Sequence, residues 1–590
     1  MDTNNKTTFS PMINVIPGSQ SVDGNRLQMG KAHHTQYLPL KGSKETPLLR
    51  TNYLNAIATN SKFFLKKALH NGYVKRYGNK LVVTYQSSTN VALDIDEVDI
   101  MSIYPYFEVP IEDGPVQKGQ VLMKNQSISD KGLVHGVHLN TVAEMLSYTF
   151  EDSIVLTESG ASKLTSLHYD VVDYELSNIF DLNIEQFNEG YLHKGDWIIK
   201  EFRKTMQVLS APTKTIRCED TGTIFSIEIQ MFDDYIASTD VRDFIDEHSV
   251  TNELETILQD HPKHAKKLKT AYSSLFSEPQ DGIGILRITY AREEKVQVGD
   301  KVVNRYGNKG IVSKIIPDDE GIELLKDKYE IFDFVPDLFY NPFGIHTRMN
   351  AMQLGESALV YVCKNTIPKI VRKLIKEKDN PKDILLYIIE KVHFKIDPEL
   401  AESVIIAINK ISESKQLVII KDILNSGLIV EVDSVVPGFM LKIADIVQEL
   451  DPEYWNNLKR CGYGVNYIMK LHHQVGHKIK GTSTDVYSMK YHTPLNGQKK
   501  GEMELWDEIA YDAPASLFSD QKTKSDEHSS KAKTFEQIVK YGTTSILDTV
   551  DKESTSLKLI KSLMMVVNVD LDKSDTVNQE DLLNEIINED

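Results

Sequence analysis

Short runs in which apolar and polar positions alternate recur along the chain, and they predict strands. Ile285–Tyr290 and Ile311–Ile316 are two of them; Lys80–Tyr85 also reads as a strand, and Ile154–Leu156, continuously apolar, is a candidate buried strand. His193–Lys200 reads as a turn into a strand, and Asp113–Gly119 as a turn between strands. A longer period appears over Asp240–Leu275, which predicts helix with charge on most faces. Ile367–Gly438, rich in Ile, Lys and Glu, predicts helices ending in a strand at Gln416–Ile420, and Ser556–Asp572 an amphipathic helix followed by a short strand. Pro342 and Gly344 mark a turn, after which Thr347 caps a helix that begins near Arg348. Residues 1–20, with Pro11, Pro17 and Gly18, read as an irregular arm, and Gln521–Lys533 as a polar linker.

At 590 residues the chain exceeds what one core accommodates, so several domains are expected. The net charge of −18 argues against a free nucleic-acid-binding domain, which is usually basic, and leaves room for a local basic channel or a basic partner. Cys218, Cys363 and Cys461 are far apart with no C-x-x-C pair, so no cysteine zinc site is expected, and unpaired thiols suit a reducing compartment. The first residues lack a basic and then apolar leader pattern, and no apolar run is long enough to span a bilayer. The expectation is a cytoplasmic protein.

Candidate chemistry centres on Gly299–Pro317, G-D-K-V-V-N-R-Y-G-N-K-G-I-V-S-K-I-I-P. Its loop, Asn304–Gly310, holds two glycines, which permit tight turns and close approach to a ligand. Lys301 and Lys309 flank the turn, where two ammoniums can meet one polyanion; a solvated basic hairpin fits the same residues. Glu151 and Asp152 precede the apolar run Ile154–Leu156, as carboxylates that suit Mg2+ or as a plain solvent-side turn. Arg348 at a helix start is poorly placed for the dipole unless it and free backbone N–H groups hold a phosphate. His472, His473 and His477 raise the possibility of zinc, the last two spaced to share a helix face, but H-E-x-x-H is absent and Lys470, Lys478 and Lys480 are close in sequence, so polyanion contact is preferred. No G-x-x-x-x-G-K-[ST] occurs, which excludes a P-loop nucleotidase.

The lysine segment resembles the G-D-K-x-x-x-R-x-G-N-K-G-x-x-S element of the second-largest, β-type subunit of multisubunit RNA polymerases. Asp23–Leu40 is similar to that family's A-N-R-A-L-M-G…Q-R-Q-A-V-P element, with His34 and Thr35 in place of Gln and Arg; Tyr148–Ser159 to N-F-E-D-[SA]-I-x-x-S-E, with Thr149 in place of Asn; and Asp333–Leu359 to N-P-x-G-[VI]-P-S-R-M-N, with His346 and Thr347 in place of Pro and Ser. Tyr463–Leu517 resembles Y-M-x-K-L-x-H-x-V-x-D-K and G-E-M-E-x-W, with His477 in place of Asp and the glycine-rich loop shortened.

The resemblance implies an α+β, multi-domain fold with a β-rich, barrel-like active-centre core of the double-psi type, an inserted flap module and a C-terminal helical anchor. The implied parts are an arm at 1–20, an active-centre-lining region at 21–160, a flap-like module at 161–280, the barrel core at 281–365, a variable insertion at 366–445, a hybrid-binding and switch-like region at 446–520 and an anchor at 521–590. It implies that Lys301, Lys309 and Arg348 are catalytic and contact nucleotide and RNA with Arg26 and Gln36, that His473 and Lys478 face the template and hybrid, and that Glu151 and Asp152 stand near the nucleotide-borne Mg2+. The matches correspond to the C-terminal half of a bacterial β subunit, without the D-F-D-G-D triplet that binds the catalytic Mg2+. The implied partners are therefore a β N-terminal-half subunit, β′-type subunits, a specificity factor, DNA template, RNA and nucleoside triphosphates, with no membrane and no zinc. A split, zinc-free β half looks most like the polymerases of giant, phiKZ-like bacteriophages, placing the chain in the infected cell or the virion and inactive alone. The alternative is a non-catalytic nucleic-acid-binding or assembly scaffold derived from such a subunit.

Overall fold

The computed structural model describes residues 11–41, 45–54, 56, 65–77, 80–85, 95–100, 107–108, 112–125, 127–129, 131–202, 214–273, 282–377, 380–478, 487–488, 493–494, 500–520, 528–542 and 555–567. They fall into two units, residues 1–477 and 478–590. Near the start of the first, α1 (Gly24–His33) is capped by the Asp23 carboxylate, which accepts the Asn25 N–H.

The first unit is built around a closed barrel of six strands: β1 (Val137–Ala143), β2 (Ser153–Thr157), β3 (Lys301–Asn304), β4 (Lys309–Ile316), β5 (Leu338–Tyr340) and β6 (Gly462–Lys470). Their order around the barrel is β1–β5–β2–β4–β3–β6, closing back on β1. The pairs β1–β5 and β2–β4 are parallel and the other four antiparallel. Successive strand residues point to opposite sides. Ile154, Leu156, Val302, Val312, Leu338 and Ile468 pack together in one cluster, while Val155, Phe339 and Val465 join the large helical core. Both faces are thus covered, which is why Ile154–Leu156 of β2 reads as an unbroken apolar run. The α+β, multi-domain architecture with a barrel core is the one expected.

Between β2 and β3 the chain inserts a module in which Ser166–Leu176, Gly222–Met231 and Gly284–Glu294 form an antiparallel sheet, extended by Tyr191–Leu192. Two helices accompany it, α2 (Thr239–Glu247) and α3 (Val250–Asp260). Its own core holds Leu176, Phe187, Ile199, Ile229, Phe244 and Leu286. The run Ile285–Tyr290, expected in the barrel, belongs to this sheet, because it pairs with both other long strands over most of their length.

After β5 come α4 (Phe343–Thr347) and α5 (Ala351–Tyr361), then a series of helices through Phe439–Leu450. These helices share the large core with the barrel's outer face. The strand expected at Gln416–Ile420 is instead part of the helix Glu413–Ser426. Its buried residues, Gln416, Ile420 and Ile423, recur at helical spacing while Leu417 and Val418 lie exposed, so tertiary packing overrides the β-rich local composition. Of the expected N-terminal arm, Pro11–Val15 and Ser19–Ser21 form 3-10 turns that bury Ile13, Val15 and Ile16. Residues 1–10 lie outside the described residues.

The second unit contains the helices Glu502–Ala510, Pro514–Phe518, His528–Tyr541 and Thr555–Val566. The short strand expected to end at Asp572, and Lys480, fall outside the described residues. Among the described residues no helix is long and apolar enough to cross a membrane.

Candidate active site

The hairpin β3–β4 carries both lysines. Lys301 pairs with Ile311 and Val303 with Lys309, so the register puts Lys301 and Lys309 on one face, diagonally related. The intervening loop is held by Asn304, whose side-chain oxygen accepts the N–H groups of Tyr306 and Asn308, each at 3.0 Å. Arg305 turns inward, donating to Leu49 O at 2.7 Å and to Glu356 Oε1 of α5 at 2.8 Å. Both partners of that ion pair are buried, and Glu356 Oε1 also accepts the Tyr467 N–H of β6.

Gly307 has φ of +80°, and a Cβ built there lies 2.1 Å from Arg26 O, so only glycine lets α1 reach the loop. Gly30 repeats the contact on the next turn, with Arg305 O at 2.5 Å from a built Cβ. This approach sets Arg26 over the loop, where its Nη1 donates to Gly307 O at 3.3 Å. Gly307→Ala is expected to lower stability by about 2 kcal/mol or more, from left-handed strain plus the clash. Denaturant titration of the full chain measures it, and an unchanged midpoint would mean α1 does not dock this way.

Glu151 and Asp152 lie in the turn before β2 rather than on the strand, and Glu151 adopts φ of +50°. Asp152 O accepts the Ile311 N–H at 3.0 Å, which ties this turn to β4. Thr149, where the resembling family has Asn, is buried and builds the preceding turn, accepting the Leu146 N–H and donating to Glu144 O.

Arg348 does not begin a helix. It is the C-cap of α4, and the next helix starts at Ala351 after Met349 with φ of +50°. Thr347 instead donates to Phe343 O inside α4. The cation therefore stands at a helix C-terminus, where the dipole favours it. Its Nη1 donates to Asp152 Oδ1 and, at 3.2 Å, to Asn308 Oδ1, and Asn308 Nδ2 donates to Gln353 Oε1 at 3.0 Å.

A small cavity of about 50 Å³ opens here, with Glu151, Asp152, Asn308, Lys309, Arg348 and Gln353 among its lining residues. Arg26 joins the same electrostatic neighbourhood: burial and then Arg348 lower its pKa, with Asp152 opposing. Lys301 is not in the lining, but it acts on the same region. His33 of α1 is pushed down to about 4 by burial first and, against a backbone hydrogen bond with Asn304, by the charges of Lys309, Lys301 and Arg26. The structure thus brings together Arg26, Lys301, Lys309, Arg348, Glu151 and Asp152, six groups spread from residue 26 to residue 348.

The remaining candidates stand differently. Gln36 is half-buried beyond α1, and its backbone oxygen accepts the His472 N–H. His473 is half-buried, and its backbone oxygen accepts the Lys301 N–H at 3.3 Å, next to the hairpin. Lys478 is exposed and opens the second unit. His473 and His477 do not share a helix face, because the helix covers only Val475–Lys478. His477 faces Glu294 instead, and with His168 these form the group of metal-capable side chains found among the described residues. Arg292 Nη1 lies 3.4 Å from Glu294 Oε2, and Lys470 Nζ 3.2 Å from Glu294 O, so cations already occupy that corner. Lys470 itself is fully buried against Ser166 Oγ.

Sequence reasoning passed over Asn308, Gln353, Glu356 and the role of Arg305. The polar pair R-x-x-N within the hairpin was visible, but uncharged amides carry no signal until their partners are known.

The family described as RNA polymerase Rpb2, domain 6, matches residues 120–388. That stretch contains β1 to β5, the lysine hairpin, the Asp152 turn and Arg348; α1 and β6 lie outside it. Relatives include proteins named DNA-directed RNA polymerase subunit beta from Rickettsia typhi, 32% identical over 323 residues, and from Rickettsia prowazekii, 31% identical over 318. Each alignment covers 50% of this chain and 22% of the relative.

Proposed function

We propose that this chain, half of which is homologous to a portion of the RNA polymerase β subunit, supplies the β-type share of a multisubunit DNA-directed RNA polymerase active centre. The observation that carries this reading is that Lys309 and Arg348 line one cavity of the barrel with Asp152, while Arg26 acts on Arg348 and Asp152 and Lys301 shares a hairpin face with Lys309. Cations gathered from separated elements suit a triphosphate and the end of an RNA chain. Lys309 and Arg26 offset phosphate charge, Arg348 orients the phosphates with its planar fork, and Lys301 contacts RNA. Gln36 contacts nucleotide or RNA, and His473 and Lys478 contact template and hybrid.

Glu151 and Asp152 fit a water-mediated contact to a nucleotide-borne Mg2+, since both line the cavity and Glu151 is exposed. That ion, when bound, neutralises phosphate charge during phosphoryl transfer. The chain works with a β N-terminal-half subunit, β′-type subunits carrying the catalytic Mg2+ ligands, a specificity factor, DNA and RNA, and does not polymerise alone. The finer reading is a polymerase of the giant-phage type, acting in the infected cell or from the virion, and the absence of a C-x-x-C pair from the sequence supports it.

Transcription by the enzyme reassembled with co-expressed partners tests this. Lys309→Ala is expected to lower elongation at least about tenfold, the loss of one charge-assisted phosphate contact. Full activity of the variant would favour the non-catalytic scaffold.

A further inference from the structure

The inserted module contains a second, larger cleft that the polymerase reading leaves unused. It has a volume of about 620 Å³ and lies between the strand Gly222–Met231, the end of α2 and the first turn of α3. Its lining is acidic: Glu228, Asp246, Glu247 and Glu253, with Ile224, Phe225 and Phe187 as apolar wall.

Glu228 is the unusual member. It is 4% exposed, and neither carboxylate oxygen has a hydrogen-bond partner. Arg287 and Lys80 act on it through their charge, but their hydrogen bonds run to other carboxylates. Arg287, directly opposite Glu228 in the sheet register, turns its fork to Asp173, with contacts of 2.7 and 2.8 Å. Lys80, buried and reaching over from the strand Lys80–Tyr85, pairs with Glu253. Three carboxylates therefore share two cations, and Glu228, which lines the cleft, feels both charges without receiving a hydrogen bond from either. A buried carboxylate without a donor is costly, and burial pushes its pKa up.

We propose that this cleft receives an arginine side chain from a partner protein, whose guanidinium pairs with Glu228. Both oxygens of Glu228 lack donors, and the planar two-pronged guanidinium matches such a carboxylate better than an ammonium does. The stem lies against Ile224 and Phe225, and Phe225, 54% exposed, offers its ring for stacking. Asp246 and Glu247, in the last turn of α2, add attraction at the mouth. The inference is independent of the barrel site.

The test uses the full chain with a fluorescent Phe-Arg-Phe tripeptide amide as probe, read by anisotropy, with spermidine and the Phe-Lys-Phe analogue as competitors. Saturable binding is expected. Glu228→Gln is expected to weaken it at least about tenfold while raising the melting temperature of the unliganded chain, because the variant loses a buried carboxylate that no donor serves. Phe225→Ala, at the exposed rim, is expected to weaken binding with only a small fall in melting temperature, from the lost ring contact with Tyr169. Absence of binding, or equal binding by Glu228→Gln, overturns the proposal. Competition by spermidine as strong as by the arginine peptide also overturns it, since the cleft would then hold a small polycation instead of a partner's arginine.

Discussion

Glu356→Ala is expected to destabilise the first unit by about 3–5 kcal/mol, the usual result of stranding one member of a buried ion pair. Glu356 is 0% exposed and receives both Arg305 Nη2 and the Tyr467 N–H on one oxygen. Without it, the Arg305 guanidinium stays inside the protein with Leu49 O as its acceptor among the described residues and the Tyr306 and Tyr467 rings near by. The loop that carries Lys309 then loses its tether to α5. Urea titration followed by tryptophan and tyrosine emission measures the loss. The double replacement Arg305→Met, Glu356→Leu is expected to regain much of it, because two apolar side chains remove both charges at once. A single variant within about 1 kcal/mol of the parent would mean that water reaches the pair and that it does not anchor the hairpin.

Arg348→Ala is expected to raise the apparent KM for nucleotides in the reassembled polymerase by about 10–100-fold, as for a lost charge-assisted contact to phosphate. Two effects add. The fork itself disappears, and Asp152, which Arg348 neutralises through a direct hydrogen bond, is left as a bare carboxylate beside the phosphates. Asp152→Asn in the same background is therefore expected to recover part of the loss, giving a double variant milder than the sum of the singles. Steady-state kinetics at varied nucleotide concentration reads this. An unchanged KM and rate for Arg348→Ala removes the arginine from the site.

What the sequence disclosed followed from how each group signals itself. The lysine hairpin was legible because glycines, apolar alternation and charge coincide within Gly299–Pro317. The helix α1 was not: its residues are mostly polar, only Leu27, Gly30 and His33 are buried, and its docking depends on the absence of side chains at Gly30 and Gly307. Arg348 was rightly singled out by residue type but wrongly set at a helix start, since Thr347 can cap a following helix or end a preceding one with equal local chemistry. Gln416–Ile420 misled for the opposite reason, as β-branched residues on a helix whose packing only the fold supplies. Ile285–Tyr290 was correctly read as a strand, yet its pairing partner, Ser166–Leu176, lies more than a hundred positions upstream and nothing local names it. The histidine pair failed because a shared face requires a helix long enough to include both.

The position of β6 has a consequence for synthesis. It fills the gap between β1 and β3, yet it comes last of the six strands, at Gly462–Lys470. A nascent polypeptide leaving the ribosome carries β1 to β5 as an open sheet with two raw margins until that final ribbon emerges. Exposed margins of this kind invite wrong pairing. Translation that stops short of Gly462 would therefore release a product prone to clumping rather than a smaller working piece.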